Sequence, residues 1–196
     1  MKKPATILFA LVCLASITLA TRLNSAPPSK KPGIKKPVEV SCAKVGGKYD
    51  VTKIINSLNC TKGGAAVTIP DWQNAMAETS TLSLGHGDTA NKCKVSGTDT
   101  LGGSSLKIPV SGATNKTSQF SLSNENPEEL ALPLKLTVNN KYMTCTFKGV
   151  ITYNTTIAGS GHLKGKINSS LSLAIGDERC PDKCSMIQAF EATNPN

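Results

Sequence analysis

The strongest constraint on the fold is a regular alternation of apolar and polar residues across residues 163–175. Leucine and isoleucine occupy most of the odd positions, with the small Gly165 and Ser169 between them, whereas lysine, asparagine and serine occupy most of the even positions. A period of two is typical of a β-strand with one buried and one solvated face. The segment therefore predicts a long strand in a sheet that covers a hydrophobic core.

The same alternation predicts a β-hairpin in residues 130–151. Leucine or valine recurs at every second position from Leu130 to Val138, and Asn139 and Asn140 follow, a residue type that tolerates the positive φ of a tight turn. The returning segment places these side chains on one face: Met143, Cys145, Phe147 and Ile151. Shorter strands are predicted at residues 66–69, 79–84, 92–98, 105–110, 118–123 and 186–192. Pro109 and Pro133 cannot donate a ladder hydrogen bond, so their strands are expected at edges or bulges.

These strands, together with few aromatic residues and regularly spaced Gly and Pro, predict the fold class. We expect an all-β, mainly antiparallel β-sandwich, stabilised by disulfides, in a single domain over residues 38–196. One short helix is expected after Asp50, because apolar residues follow with the i, i+3, i+4, i+7 spacing of a helical stripe. They are Val51, Ile54, Ile55 and Leu58. Residues 71–78 predict a second short helical turn.

The first 20 residues predict a secretory signal peptide. Lys2 and Lys3 precede an uncharged apolar stretch, and the stretch ends in Thr18, Leu19 and Ala20, with small residues at the two positions that a signal peptidase reads. The apolar centre is too short to span a bilayer, and no second long apolar run follows. We therefore expect a secreted, extracellular protein without a transmembrane segment.

Secretion determines how the cysteines are interpreted. Cys13 lies in the leader, and six cysteines remain: Cys42, Cys60, Cys93, Cys145, Cys180 and Cys184. An even number in an oxidising compartment predicts three disulfides, for which about 15 connectivities exist. Cys93 and Cys145 lie on apolar faces of predicted strands, so they could bridge two sheets. Only Cys180 and Cys184 are closely spaced, which is not a zinc pattern, so no metal site and no cofactor is expected.

The positive charge is concentrated at the start of the chain. The formal net charge is +9. Seven of the 22 basic residues lie in residues 1–37 and none of the 13 acidic residues does, so the remainder is nearly neutral. Residues 21–37 are rich in proline and lysine, which predicts a disordered basic arm. A nearly neutral domain argues against nucleic acid as a partner.

Lysines on the solvated faces of the predicted strands suggest a binding surface. His162, Lys164 and Lys166 point the same way from one strand, and Lys148 and Lys135 occupy the solvated faces of two others. A basic face of this kind fits an acidic polysaccharide, an anionic surface or an acidic protein partner. The alternative is that these lysines only keep the sheet soluble.

Four Asn-x-Ser/Thr triplets permit N-glycosylation. They begin at Asn59, Asn115, Asn154 and Asn168. Asn154 and Asn168 fall on the solvated faces of their predicted strands, where a glycan could be attached. The number of triplets is close to the number expected by chance in a chain so rich in Asn, Ser and Thr.

Catalysis has weak support in the sequence. His86 and Asp88 lie in a Gly-His-Gly-Asp segment that could orient a nucleophile or ligate a metal, but the segment is more typical of an ordinary turn. No Gly-x-Ser-x-Gly or His-x-x-x-His pattern accompanies it. We therefore expect a secreted protein, not an enzyme, that acts by binding, as an effector or adhesive component. The alternatives are a secreted hydrolase that uses His86 and Asp88 and a structural wall or matrix protein.

Overall fold

The described structure, a computed structural model, consists of β-strands joined by turns. It describes residues 42–70, 79–86, 93–102, 105–114 and 118–195. The strands are β1 (Gly47–Lys62), β2 (Ala65–Val67), β3 (Thr79–His86), β4 (Lys94–Leu101), β5 (Lys107–Thr114), β6 (Gln119–Asn124), β7 (Leu132–Val138), β8 (Lys141–Gly159), β9 (His162–Ile175) and β10 (Lys183–Thr193). No helix occurs in these ranges.

Eight antiparallel strands close into a barrel. The sheet runs in the order β10-β9-β8-β6-β5-β4-β3-β1, and β10 also pairs with β1. The closing pair extends from Asp50 opposite Thr193 to Thr61 opposite Lys183. Closure satisfies the backbone of both strands that would otherwise be sheet edges. The architecture is therefore a closed barrel, and the expected division into two packed sheets is not what the strand pairing supports.

Two shorter strands extend the barrel wall at one end. β7 pairs with β8 over Lys141–Phe147, which places it beyond β6 along the same side of β8. The β7–β8 turn is formed by Asn139 and Asn140 with φ of 49° and 59°, as the hairpin prediction requires. Pro133 lies on β7, and among the described strands β7 pairs only with β8, so this proline is on an edge strand as expected. β2 pairs with the last residues of β1.

The core is the apolar interior of the barrel. Leu163, Ile167 and Leu171 of β9 are each at most 2% exposed, as their alternation predicts. The alternating leucines of β7 are buried as well. Eight-stranded barrels have an interior just wide enough to be filled by side chains, so alternate residues of every strand form this core.

The structure contradicts the helix expected after Asp50. Residues 51–58 lie in β1, whose alternation places Val51 and Ile55 inside while Ile54 is 64% exposed. The third inward position is Lys53, which is only 3% exposed. A lysine inside and an isoleucine outside hide the period of two, so the four apolar residues imitate a helical stripe. The second expected turn, at residues 71–78, lies outside the described residues.

Three disulfides are present among the described residues, in a connectivity that the sequence left open. They are Cys42–Cys93, Cys60–Cys184 and Cys145–Cys180. The suggested bridge between Cys93 and Cys145 is wrong, since each has another partner. Cys60 and Cys184 are directly opposed in the β1–β10 pairing, so this disulfide reinforces the junction that closes the barrel.

Candidate functional site

The barrel interior contains a layer of polar side chains. Six neighbouring strands of the barrel each contribute one buried polar residue to this layer, and only β5 and β6 contribute none. In order around the wall, from β4 to β8, the residues are Asp99, Ser80, Lys53, Gln188, Ser169 and Tyr153. Each is displaced by two residues from the position directly opposite its neighbour, a spacing of roughly 7–8 Å between Cα atoms. The layer thus circles most of the lumen at one level.

A charged cluster lies within this layer. Nζ of Lys53 is 2.6 Å from Oδ2 of Asp99, and their side chains are 2% and 0% exposed. The hydroxyl of Tyr153 donates to the same Oδ2 at 2.5 Å. The three residues come from β1, β4 and β8, none of which pairs with another of the three, so the contacts cross the lumen. Burying two charges is costly unless they are paired, which explains why lysine and aspartate occur here together.

The protonation of Tyr153 follows from its surroundings. Burial, and then the negative charge and hydrogen bond of Asp99, raise the pKa of Tyr153 well above its usual value of 10.0. The hydroxyl therefore keeps its proton and acts as a donor. Several polar atoms of the layer have no hydrogen-bond partner among the described residues: Ser80 Oγ, Asp99 Oδ1, Ser169 Oγ and Gln188 Nε2.

Sequence reasoning did not identify this layer. A parity reading of β1 alone would have placed Lys53 inward, between Val51 and Ile55, but the helical interpretation concealed that signal. Asp99 and Tyr153 both occupy buried positions in strands whose residues alternate between the interior and the solvent. Their meeting depends on barrel closure, which no local pattern encodes.

A second candidate site is an open groove on the outer wall of the barrel. It has a volume of about 420 Å³ and is lined by Gln119, Phe120, Ser121, Asn154, Thr155 and Thr156 of β6 and β8. Ser121 and Asn154 are directly opposed, and the Ser121 hydroxyl donates to Asn154 Oδ1 at 2.8 Å. Amide and hydroxyl groups on a solvated surface are suited to hydrogen bonding with a hydroxyl-rich ligand.

The lysines of β9 flank this groove. In the β8–β9 pairing, Lys166 is directly opposite Asn154, and Lys164 is directly opposite Thr156. Both lysines are exposed, and neither forms an ion pair within the part of the chain that the structure describes. Glu191 of β10 is opposite Lys164 on the other side. Two ammonium groups therefore stand beside a row of hydroxyl and amide side chains.

The other residues of the predicted basic face do not join this pair. Lys148 lies six positions before Asn154 on β8, about 20 Å along an extended strand, and it forms an ion pair with Glu128. Lys135 is on β7, opposite Thr144, which lies ten positions before Asn154 on β8. His162 begins β9 and is only half-exposed, with Nε2 buried. The structure therefore gathers Lys164 and Lys166 at the groove and places Lys148 and Lys135 elsewhere.

His86 makes contacts that stabilise the fold. Its Nε2 accepts hydrogen bonds from the backbone N–H groups of Val45 and Gly46, at 3.0 and 3.3 Å. The nitrogen that a general base would use is thereby engaged with the segment before β1. Asp88 lies outside the described residues.

Asp177 and Asp182, near the end of the chain, have partners as well. Oδ2 of Asp182 accepts from the N–H of Gly63 at 2.6 Å, and this hydrogen bond is the main cause of a lowered pKa of Asp182. Arg179 binds the carboxylate of Asp177 and lowers its pKa. These contacts hold the loop between β9 and β10, and Lys62 also reaches the carbonyl of Cys180 in it. A pair of free carboxylates suited to glycoside hydrolysis is not present among these residues.

Among the described residues, no group of three or more His, Cys, Asp or Glu side chains is arranged to hold a metal ion. Cys180 and Cys184, the closely spaced pair, are each engaged in a disulfide with another cysteine. Within the same residues, no helix is long and apolar enough to cross a membrane.

Three of the four possible glycosylation sites can be located. Asn59, Asn154 and Asn168 are all exposed on the outer wall, whereas Asn115 lies outside the described residues. Asn154 also lines the groove. A glycan there would occupy the same surface as a ligand of the groove.

Comparison with known proteins gives no family assignment: no protein-family model matches this chain, and no curated protein matches it.

Proposed function

We propose that this chain is a secreted, disulfide-stabilised barrel that binds an acidic polysaccharide through the outer groove between β6 and β8. The observation that carries the proposal is the strand register at the groove. It sets Lys164 and Lys166 directly opposite two residues that line the groove, Thr156 and Asn154. A chain of sugars with carboxylate or sulfate groups offers hydroxyls to the groove and charges to the lysines.

The shape of the site supports a polymer ligand. The groove is open, and five of its six lining residues have polar side chains, which suits an extended chain that remains partly solvated. The binding energy would come from many weak hydrogen bonds and two charge contacts, so we expect moderate affinity that decreases with salt. The three disulfides fit a protein that works outside the cell.

The test compares two double variants with the same change in charge. Lys164→Gln with Lys166→Gln removes the lysines beside the groove, and Lys135→Gln with Lys148→Gln removes two lysines far from it. Affinity for polygalacturonate and for heparin is measured by calorimetry at several salt concentrations. We expect the first variant to bind at least about tenfold more weakly, equivalent to about 1.4 kcal/mol, and with a smaller salt dependence.

The control variant should bind within about twofold of the wild-type protein, since exposed residues away from the site contribute little. Equal losses in both variants would show that only overall charge matters, and that result would overturn the groove assignment. Wild-type protein that binds neither polymer would overturn the proposed ligand class.

A further inference from the structure

The lumen places an amine and a carboxyl group in direct contact. Nζ of Lys53 and Oδ2 of Asp99 are 2.6 Å apart, and both side chains are almost completely buried. β3 lies between their strands in the barrel wall, so the contact passes through the interior and not along a strand pair. The binding groove on the outer wall makes no use of this contact.

A third group completes the arrangement on the same oxygen. The Tyr153 hydroxyl donates to Oδ2 at 2.5 Å, so both neighbours of the carboxyl group approach one oxygen. The other oxygen, Oδ1, is buried and has no hydrogen-bond partner among the described residues. One oxygen is thus surrounded by proton donors, while the other is available as the carbonyl oxygen of an amide.

We propose that Lys53 and Asp99 condense to an intramolecular isopeptide bond. A proton passes from Nζ to Oδ2, which converts the ion pair into an amine and a carboxylic acid. The lone pair of Nζ then attacks Cγ of Asp99, and the bond between Cγ and Oδ2 breaks. Oδ2 leaves as water, because it already carries one proton and receives a second from the Tyr153 hydroxyl. The Tyr153 hydroxyl then regains a proton from Nζ. Oδ1 becomes the amide oxygen, and no oxidant or co-reactant is needed.

Two physical effects favour this reaction inside the barrel. Burial lowers the cost of neutralising the two charges, because separated charges are poorly solvated in the interior. The strands hold the amine 2.6 Å from an oxygen of the carboxyl group, so the condensation does not need to bring the two side chains together. Tyr153 acts as the proton relay, and its raised pKa keeps it protonated until the step occurs.

The product would add a crosslink that reducing agents cannot break. Lys53 and Asp99 are 46 residues apart, and the bond would join β1 to β4. None of the three disulfides joins these two strands to each other within their described bounds. An extracellular barrel with this bond would retain part of its topology after its disulfides are reduced.

The test is the mass of the full-length mature protein, produced in a host without N-glycosylation, then denatured, reduced and alkylated. We expect a mass one water molecule below that calculated for the mature sequence with all six cysteines alkylated. Trypsin should fail to cleave after Lys53, and a branched peptide should join residues 49–62 to residues 95–107. A mass equal to that calculated for the alkylated sequence, with cleavage after Lys53, would show an ion pair only and would overturn the proposal.

Two variants identify the roles of the residues. Lys53→Arg keeps the positive charge but removes the nucleophilic amine, so the mass deficit should disappear completely. Tyr153→Phe keeps the ion pair and the ring but removes the proton donor, so the crosslinked fraction after a fixed time should fall by at least about tenfold. A complete mass deficit in Lys53→Arg would place the lost water at another site and would also overturn the proposal.

Discussion

Asn154 on β8 lies directly opposite Lys166 on β9, so a possible glycosylation site and a proposed ligand-binding lysine occupy one position on the barrel wall. A glycan attached to Asn154 would cover the groove that this residue lines. Glycosylation and polysaccharide binding should therefore exclude each other. Protein glycosylated at Asn154 is expected to bind at least about tenfold more weakly than unglycosylated protein, a loss of about 1.4 kcal/mol.

The measurement separates glycoforms from one eukaryotic preparation and compares their affinities by calorimetry. Asn168→Gln serves as the matched control, because it removes a glycosylation site on the neighbouring strand, opposite Thr152 and outside the groove lining. This variant should bind as the wild-type protein does. Trimming the glycan with an endoglycosidase, which leaves one sugar on Asn154 and keeps the side-chain amide uncharged, should restore most of the binding. Equal affinity of the glycoforms would contradict the groove as the site.

The backbone approach at Gly165 supports the second prediction. A Cβ at Gly165 would lie 2.0 Å from the carbonyl oxygen of Asn154, closer than any side chain can tolerate. Gly165→Ala should therefore force β8 and β9 apart between Lys164 and Lys166, with a loss of about 2–3 kcal/mol in unfolding free energy. Gly159, in the same hairpin, has no atom within 4 Å of the corresponding position, so Gly159→Ala is the control. Urea unfolding of both variants is the check, and similar midpoints would contradict the expectation.

The strand alternation in the sequence predicted most of the wall of the barrel, and the reasons are local. In β9 and in the β7–β8 hairpin, one face meets a continuous apolar interior, so the alternation survives in the sequence. The helix predicted in place of β1 was wrong because Lys53 occupies an inward position and Ile54 an outward one. Lys53 can be buried there because Asp99, far along the chain, compensates its charge. A single segment cannot reveal that partner.

Closure and the candidate sites could be predicted only in part, for a related reason. The alternation that distinguishes a strand is the same in a sandwich and in a barrel, and the difference rests on the pairing of β1 with β10. Lys164 and Lys166 were identified correctly as neighbours because they share a strand. Their proximity to Asn154, and the distance of Lys148 from the groove, depend on the register between strands. Local sequence patterns do not reveal that register.

The third prediction concerns His86. Replacing it by alanine removes the acceptor for two backbone donors, including the N–H of the buried Val45. An unsatisfied donor of this kind costs about 1–3 kcal/mol, so His86→Ala should lower the unfolding free energy by about that amount. Polysaccharide binding at the groove should be unchanged. Retained stability, or a specific loss of binding, would show that the imidazole has another role.

The fourth prediction compares two disulfides. Cys60–Cys184 closes a segment of 124 residues and Cys145–Cys180 one of 35 residues. In the chain-entropy account, the longer loop stabilises more, by about 5 against about 4 kcal/mol. Replacing Cys60 and Cys184 together by alanine should therefore be the more destabilising change. Thermal and urea unfolding of the two double variants test the order, and a reversed order would mean that native packing outweighs the loop entropy.

The last prediction is the alkaline response of Tyr153. Burial is the main cause of its raised pKa in the folded state, while the unfolded chain keeps a value near 10.0. Below pH 10.0 both states are protonated, and the contribution of this group to stability is fully present. As the pH rises further, the unfolded chain ionises first, so stability falls by about 1.4 kcal/mol per pH unit until the folded pKa is reached. The unfolding free energy of Tyr153→Phe should fall less steeply over the same interval, as urea titrations at a series of alkaline pH values would show. Parallel curves for the two proteins would mean that Tyr153 ionises equally well in the folded barrel.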